Sequence, residues 1–110
     1  MTNLQQALEN VLPEASQAVS YWSKEVGFSH DRLTIEVIDT QELKAVSSSV
    51  LILGLERAMG SEKVKNKDIL EHLDDYAKAR DTDDGDLFSY DEAFLDLVVQ
   101  YGLFDNLQYS

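Results

Sequence analysis

Residues 50–55, VLILGL, form the most apolar stretch of the chain, and they limit how it can fold. A helix over this segment is apolar on nearly every side, so it has to lie in the centre of the fold. The serines at 47–49 and Gly54 are small enough to let neighbouring helices approach it closely. Because the segment also contains β-branched residues, a strand over 50–55 stays open as the alternative.

Apolar residues recur at helical spacing in the N-terminal part of the chain. Thr2, with Gln5 three residues later, predicts the start of a first helix. Pro13 either kinks this helix or opens a second one, which Gly27 is predicted to end. The apolar face of the second segment consists of Ala15, Ala18, Val19, Trp22 and Val26.

One segment has the pattern of a strand. Residues 33–38, LTIEVI, are rich in β-branched side chains and partly alternate between apolar and polar. After it, Asp39 and Glu42 form a capping pair that predicts a helix over residues 43–59.

Two more helices follow. The first is predicted over residues 68–80, and the last from Ser89 or Tyr90 to Gly102, after which the apolar tail is expected to fold back. The predicted fold class is mainly α: a compact bundle of four to five helices with one short β element. We expect a single domain over residues 1–110, because a chain of this length has room for one modest core.

Composition limits the location of the protein. The chain has no cysteine, so disulfides, thiolate nucleophiles and thiolate metal ligands are excluded. No apolar run approaches the ~20 residues that span a bilayer. The first ten residues, MTNLQQALEN, have neither the basic region nor the apolar core of a signal peptide. We therefore expect a soluble, cytoplasmic protein without a membrane partner.

The formal net charge is −12, and it is unevenly distributed. Residues 1–67 carry nine acidic and seven basic residues, a net charge of −2. Residues 68–96 carry eleven acidic and two basic residues, a net charge of −9. Direct binding to nucleic acid is disfavoured because phosphates are repelled, so a basic protein is the expected partner. The only cationic patch is SEKVKNK, residues 61–67.

Part of the acidic segment has the spacing of a calcium loop. In the sequence DTDDGDLFSYDE, the side chains at loop positions 1, 3, 9 and 12 are Asp81, Asp83, Ser89 and Glu92. This part resembles the EF-hand family, and the resemblance implies calcium ligation by these four residues between two helices. Gly85 and Asp86 stand in the reverse of the family's order, which removes one ligand.

A fainter match to the same template lies at residues 31–42. Two such loops would pair residues 37–39 with 87–89 as a short ribbon, which gives the predicted strand a partner. The other interpretation needs no metal. Residues 89–92, SYDE, form a capping box before an apolar run, and the dipeptide at 84–85 is an ordinary turn. On that interpretation neither a metal nor a cofactor is expected.

The sequence gives little support for an enzyme. His30 and His72 are the only imidazoles, and the stripe of His72 with Asp68 and Asp75 is more typical of a solvated helix face. No HExxH, GxSxG or phosphate-loop motif occurs in the chain. We therefore predict a protein that is not an enzyme.

The acidic segment is the remaining candidate for a functional surface. Immunity proteins of nuclease toxins and mimics of nucleic acid use such charge to dock onto cationic grooves. We interpret the chain as a non-enzymatic acidic inhibitor or immunity protein that neutralises a basic partner. The predicted contact residues are Asp74, Asp75, Tyr76, Asp81, Asp83, Asp84, Asp86, Phe88 and Tyr90. The alternatives are a calcium-responsive helix-loop-helix module, a structural or assembly protein, and a surface that serves solubility alone.

Overall fold

The computed structural model describes residues 2–109, which form five α-helices, one 3-10 helix and one antiparallel sheet. The elements are α1 (Leu4–Asn10), α2 (Leu12–Ala18), β1 (Ser23–Ser29), β2 (Arg32–Val37), β3 (Leu43–Ser47), α3 (Ser48–Met59), α4 (Lys67–Thr82), the 3-10 helix (Gly85–Leu87) and α5 (Glu92–Phe104). The protein is therefore mixed α/β, with more helix than strand, rather than a helical bundle with one β element. No helix within the described residues has the length and apolar character needed to cross a membrane.

The sheet has the strand order β1-β2-β3, and both neighbouring pairs are antiparallel. Every second residue of β2, from Leu33 to Val37, is buried against the helices, and the residues between them are half-exposed. This alternation confirms the strand predicted at 33–38. The predicted pairing with residues 87–89 is wrong, because β2 has β1 and β3 as its neighbours and a 3-10 helix covers Gly85–Leu87.

The segment after Trp22 is a strand and not the end of a helix. Pro13 does open a second helix, since it lies in the first turn of α2. The prediction that this helix continues through Val26 is wrong. The helix ends at Ala18, and the backbone around Val26 belongs to β1, which is paired with β2. Gly27, which was expected to end the helix, lies inside β1 opposite Thr34.

Helices α3 and α5 cross at the centre of the fold with a glycine on each side. A methyl group added to Gly54 would lie 2.9 Å from the backbone nitrogen of Gly102, and one added to Gly102 would lie 2.8 Å from Cγ1 of Val50. The close approach expected at Gly54 is therefore confirmed, and residues 50–55 are helical. The predicted helix starts five residues too early, because Leu43–Ser47 pair with β2.

Helix starts differ by a few residues from their predicted positions. Asn3, rather than Thr2, caps α1 by accepting a 2.8 Å hydrogen bond from a backbone N–H of the first turn. Asp91 caps α5 by accepting the backbone N–H of Phe94 at 2.8 Å. The capping box predicted to begin at Ser89 is wrong, because the hydroxyl of Ser89 contacts α4 instead.

The segment after α5 folds back onto the domain, as predicted. Tyr109 stacks on Trp22, with ring centroids 5.0 Å apart. The buried side chain of Gln100 accepts the backbone N–H groups of Gln108 and Tyr109 at 2.8 and 2.9 Å. It also donates to Asp96, whose carboxylate accepts the indole N–H of Trp22 at 2.9 Å. One buried amide thus joins the tail to α5 and to the start of β1.

Candidate functional site

The acidic segment folds into α4, the turn after it and the first residues of α5. We define the acidic surface as the eight carboxylates of α4 and that turn: Asp68, Glu71, Asp74, Asp75, Asp81, Asp83, Asp84 and Asp86. Six of the eight are exposed. Within residues 2–109, only Lys78 and Arg80 form ion pairs with them, at 3.3 Å to Asp74 and 3.1 Å to Asp81. Most of the negative charge is therefore left uncompensated.

The turn after α4 is held against α1. Asp83 ends α4 in the left-handed conformation, with φ 49°, and its Oδ1 accepts the backbone N–H of Leu4 at 3.2 Å. Gly85 donates its backbone N–H to the carbonyl of Thr2 at 2.8 Å. A methyl group on Gly85 would overlap the backbone of Asn3, so only glycine permits this approach. The acidic turn thus has a fixed position on the domain.

The EF-hand interpretation assigns Asp81, Asp83, Ser89 and Glu92 to one calcium ion. The structure instead places Asp81 inside α4, and the hydroxyl of Ser89 donates to Asp75 at 2.6 Å. In the part of the chain that the structure describes, no group of three or more acidic or histidine side chains is arranged to hold a metal ion. Asp81, Asp83 and Ser89 each have a hydrogen-bond partner within the protein.

A hydrogen-bonded cluster joins α4 to the segment before α5. Ser89 Oγ donates to Asp75 Oδ2, and His72 Nδ1 lies 2.8 Å from the same Oγ. His72 Nε2 lies 3.5 Å from Asp91 Oδ2. Because the hydroxyl proton is directed to Asp75, Nδ1 is placed to donate a hydrogen bond rather than to remove a proton. The imidazole of His72 is therefore not placed to take the proton of the Ser89 hydroxyl.

Tyr76, predicted as an aromatic contact residue, lies in the core at 1% exposure. Its hydroxyl donates to Glu56 Oε2 at 2.6 Å, and Arg80 Nη1 lies 3.0 Å from the same oxygen. Burial, together with this hydrogen bond, raises the pKa of Tyr76, while the Tyr76 hydroxyl lowers the pKa of Glu56. Tyr76 therefore lies on the buried side of α4, where it holds this helix against α3, and it is not part of the acidic surface.

The other two predicted aromatic contact residues, Phe88 and Tyr90, stack on each other with centroids 5.7 Å apart. Phe88 is half-buried and also packs against Phe94 of α5. The hydroxyl of Tyr90 donates to Glu14 at 2.6 Å, and this hydrogen bond raises the pKa of Tyr90 to about 12. Both rings are partly accessible and are held in place by α2 and α5.

Two exposed apolar side chains line depressions beside the carboxylates of α4, and neither was among the predicted contact residues. Leu70 of α4 is 46% exposed, and Met59 at the end of α3 is 40% exposed. Leu70 lines a shallow depression with Glu71 and Asp74, and it lines the adjoining depression with Met59 and Ala77. We call Met59, Leu70 and Ala77 the apolar strip.

No protein family, curated protein or solved structure matches this chain. Its function therefore has to be inferred from the contacts, burial and charges of its own residues.

The exposure of Leu70 can be predicted from its position in the helix. Ile69 and Leu70 are adjacent, so they point about 100° apart around a helix with 3.6 residues per turn. The buried face of α4 is centred on Leu73 and Tyr76, and Ile69 is half-buried beside them. Only Ile69 turns towards the core. Leu70 turns towards the carboxylates.

Proposed function

We propose that this protein is a non-enzymatic binding protein whose acidic surface docks onto a basic protein. The observation that carries the proposal is the apolar strip of Met59, Leu70 and Ala77 among the carboxylates. Carboxylates alone are compatible with a surface that serves only solubility. Exposed apolar side chains are stabilised when a partner covers them, and a central apolar contact with a polar rim is typical of protein interfaces.

The charge distribution supports a cationic partner. Residues 68–96 contribute −9 to the net charge of −12. Complementary charge raises the association rate and disfavours wrong partners, whereas a few buried contacts at the centre slow dissociation. The acidic surface and the apolar strip supply these two contributions side by side, and both lie mainly on α4. Nucleic acids and anionic membranes would be repelled by the same surface.

Within this class, we infer an inhibitor or immunity protein that acts in the cytoplasm. A nuclease toxin, or another protein that binds nucleic acid, carries lysine and arginine where it contacts phosphates. Carboxylates three or four residues apart on α4, such as Glu71 and Asp74, have Cβ atoms about 5–6 Å from one another. These carboxylates present a row of anions to the lysine and arginine residues of the partner, and they would compete there with the phosphates of nucleic acid.

The test is affinity capture from the native source, followed by mass spectrometry. Wild-type protein is compared with Glu71→Lys/Asp74→Lys and with Asp39→Lys, an exposed position between β2 and β3 that serves as the control. We expect a basic protein to bind the wild type and the control and to be absent from the double variant. Capture of the same proteins by all three forms, or of no basic protein by the wild type, would overturn the proposal.

A further inference from the structure

A cavity of about 240 Å³ lies outside the acidic surface, between the segment that joins α3 to α4, helix α5 and the C-terminal tail. Apolar side chains from three parts of the chain line it: Ile69 of α4, Leu97 of α5 and Leu107 of the tail. Leu107 is 52% exposed although it lines a concave surface. Concave, largely apolar sites with a few polar groups are where small ligands bind.

Two of the polar residues at this cavity are cationic, and the others are Asn66, Tyr101 and Asn106. Lys63 and Lys65 line it, and they belong to the only net-positive patch of the chain. Among the described residues, neither lysine takes part in a salt bridge. Two exposed lysine residues in the lining of a largely apolar cavity are complementary to a ligand that carries an anion at one end and hydrocarbon at the other.

We propose that this cavity binds a small aliphatic carboxylate. Its anionic end would lie at Lys63 and Lys65, and its hydrocarbon chain would lie on Ile69, Leu97 and Leu107. The cavity, at about 240 Å³, has room for a short aliphatic chain such as that of octanoate, whose carboxylate oxygens would lie at the lysines.

A second depression gives room for longer chains. It shares Ile69, Leu97 and Leu107 with the cavity and continues past Tyr21 and Tyr109. Asp96 also lines it, but that carboxylate already accepts hydrogen bonds from Tyr21, Trp22 and Gln100. The proposed ligand site does not depend on the acidic surface or on its partner.

The experiment is a titration of the full chain with octanoate, followed by NMR of labelled methyl groups. We expect saturable shifts at Ile69, Leu97 and Leu107. Octanol, which lacks the anion, should bind about tenfold more weakly, a difference of about 1.4 kcal/mol. Butanoate should also bind more weakly, because it leaves most of the apolar cavity unfilled.

A pair of charge-matched variants locates the anion. Lys63→Glu/Lys65→Glu should weaken octanoate binding about tenfold or more. Lys24→Glu/Arg32→Glu, which changes two exposed positions of the sheet, gives the same net charge and should bind as the wild type does. Far-UV circular dichroism verifies that both variants fold. The proposal is overturned by a lack of saturable binding at millimolar octanoate, by shifts confined to other residues, or by equal affinity of the two variants.

Discussion

The hydroxyl of Tyr76 on α4 donates a 2.6 Å hydrogen bond to Glu56 on α3. Arg80, one turn further along α4, pairs with the same carboxylate at 3.0 Å. This contact fixes how α4 lies on α3, and α4 carries most of the acidic surface on its outer side. The position of the proposed binding surface therefore depends on a polar contact beneath it.

We expect Glu56→Gln to lower the free energy of unfolding by about 1 kcal/mol at neutral pH. The value is at the low end for a charged hydrogen bond because the carboxylate is 44% exposed. The Tyr76 hydroxyl holds the pKa of Glu56 below its usual value in the folded protein. The stabilisation that the charged Glu56 carboxylate gives to the folded protein is therefore complete above the pKa of a glutamate in the unfolded chain, about 4.3. This stabilisation is lost as the pH falls through the lower pKa that Glu56 has in the folded protein.

Urea unfolding of wild type and Glu56→Gln over this pH range checks the prediction. The difference in stability should shrink as the pH is lowered from neutral to well below about 4. Tyr76→Phe, which removes only the donor, should also be less stable than the wild type at neutral pH. A difference that stays constant at every pH would contradict the role given to the charged carboxylate.

Gly54→Ala should destabilise the protein by about 3 kcal/mol or more, at the upper end of the cost of overpacking. The added methyl group would overlap the carbonyl of Val98 and lie 2.9 Å from the nitrogen of Gly102, and neither backbone atom is free to move. Gly60→Ala is the matched control. Its methyl group would lie 3.7 Å from the nearest atom, and its φ of −86° suits alanine, so stability should change by less than about 1 kcal/mol. Equal melting temperatures for the two variants would rule out the close crossing.

Millimolar calcium is not expected to raise the melting temperature. Asp83 accepts a backbone N–H from α1, and the hydroxyl of Ser89 is directed to Asp75, so the loop ligands have other partners. Magnesium at the same concentration controls for general screening of the negative charge. A stabilisation by calcium that magnesium does not reproduce would favour the EF-hand-like module instead.

Leu70→Ala should weaken binding of the captured partner about tenfold while leaving the stability of the free protein nearly unchanged. Alanine retains the helix propensity of α4, and Leu70 is already half-exposed. Leu43→Ala on β3, where the leucine is 64% exposed, is the control and should bind normally. Isothermal titration calorimetry compares the two variants. Equal affinities would show that the apolar strip is not the centre of the interface.

The elements that sequence patterns predict well are those with a strong internal period. β2 alternates between buried and half-exposed residues, and α4 shows a clear helical stripe, so both were found near their observed bounds. β1 and β3 were missed because neither has a sustained apolar alternation. SKEVGFS is mostly exposed and LKAVS has a single buried residue, and both segments are strands because β2 pairs with them. That information lies in the partner strand and not in the segment itself.

The same reasoning applies to the candidate site. Asp74 was predicted as a contact residue because it belongs to the acidic segment, and the structure leaves it exposed. Tyr76 was misjudged because an aromatic residue beside acidic ones can face either way, and its hydrogen bond to Glu56 crosses between two helices. The capping box at Ser89 was misjudged because a long-range acceptor, Asp75, competes for the hydroxyl. Local sequence contains no information about either contact.

The most direct test of the acidic surface is the salt dependence of binding, measured as the association rate of the captured partner over a range of ionic strength. The rate should fall steeply with added salt for wild type and for Asp39→Lys, because steering between opposite charges is screened. It should be slower and fall less steeply with salt for Glu71→Lys/Asp74→Lys, which keeps six of the eight carboxylates. If all three proteins show the same rate and the same salt dependence, the acidic surface does not bind the partner.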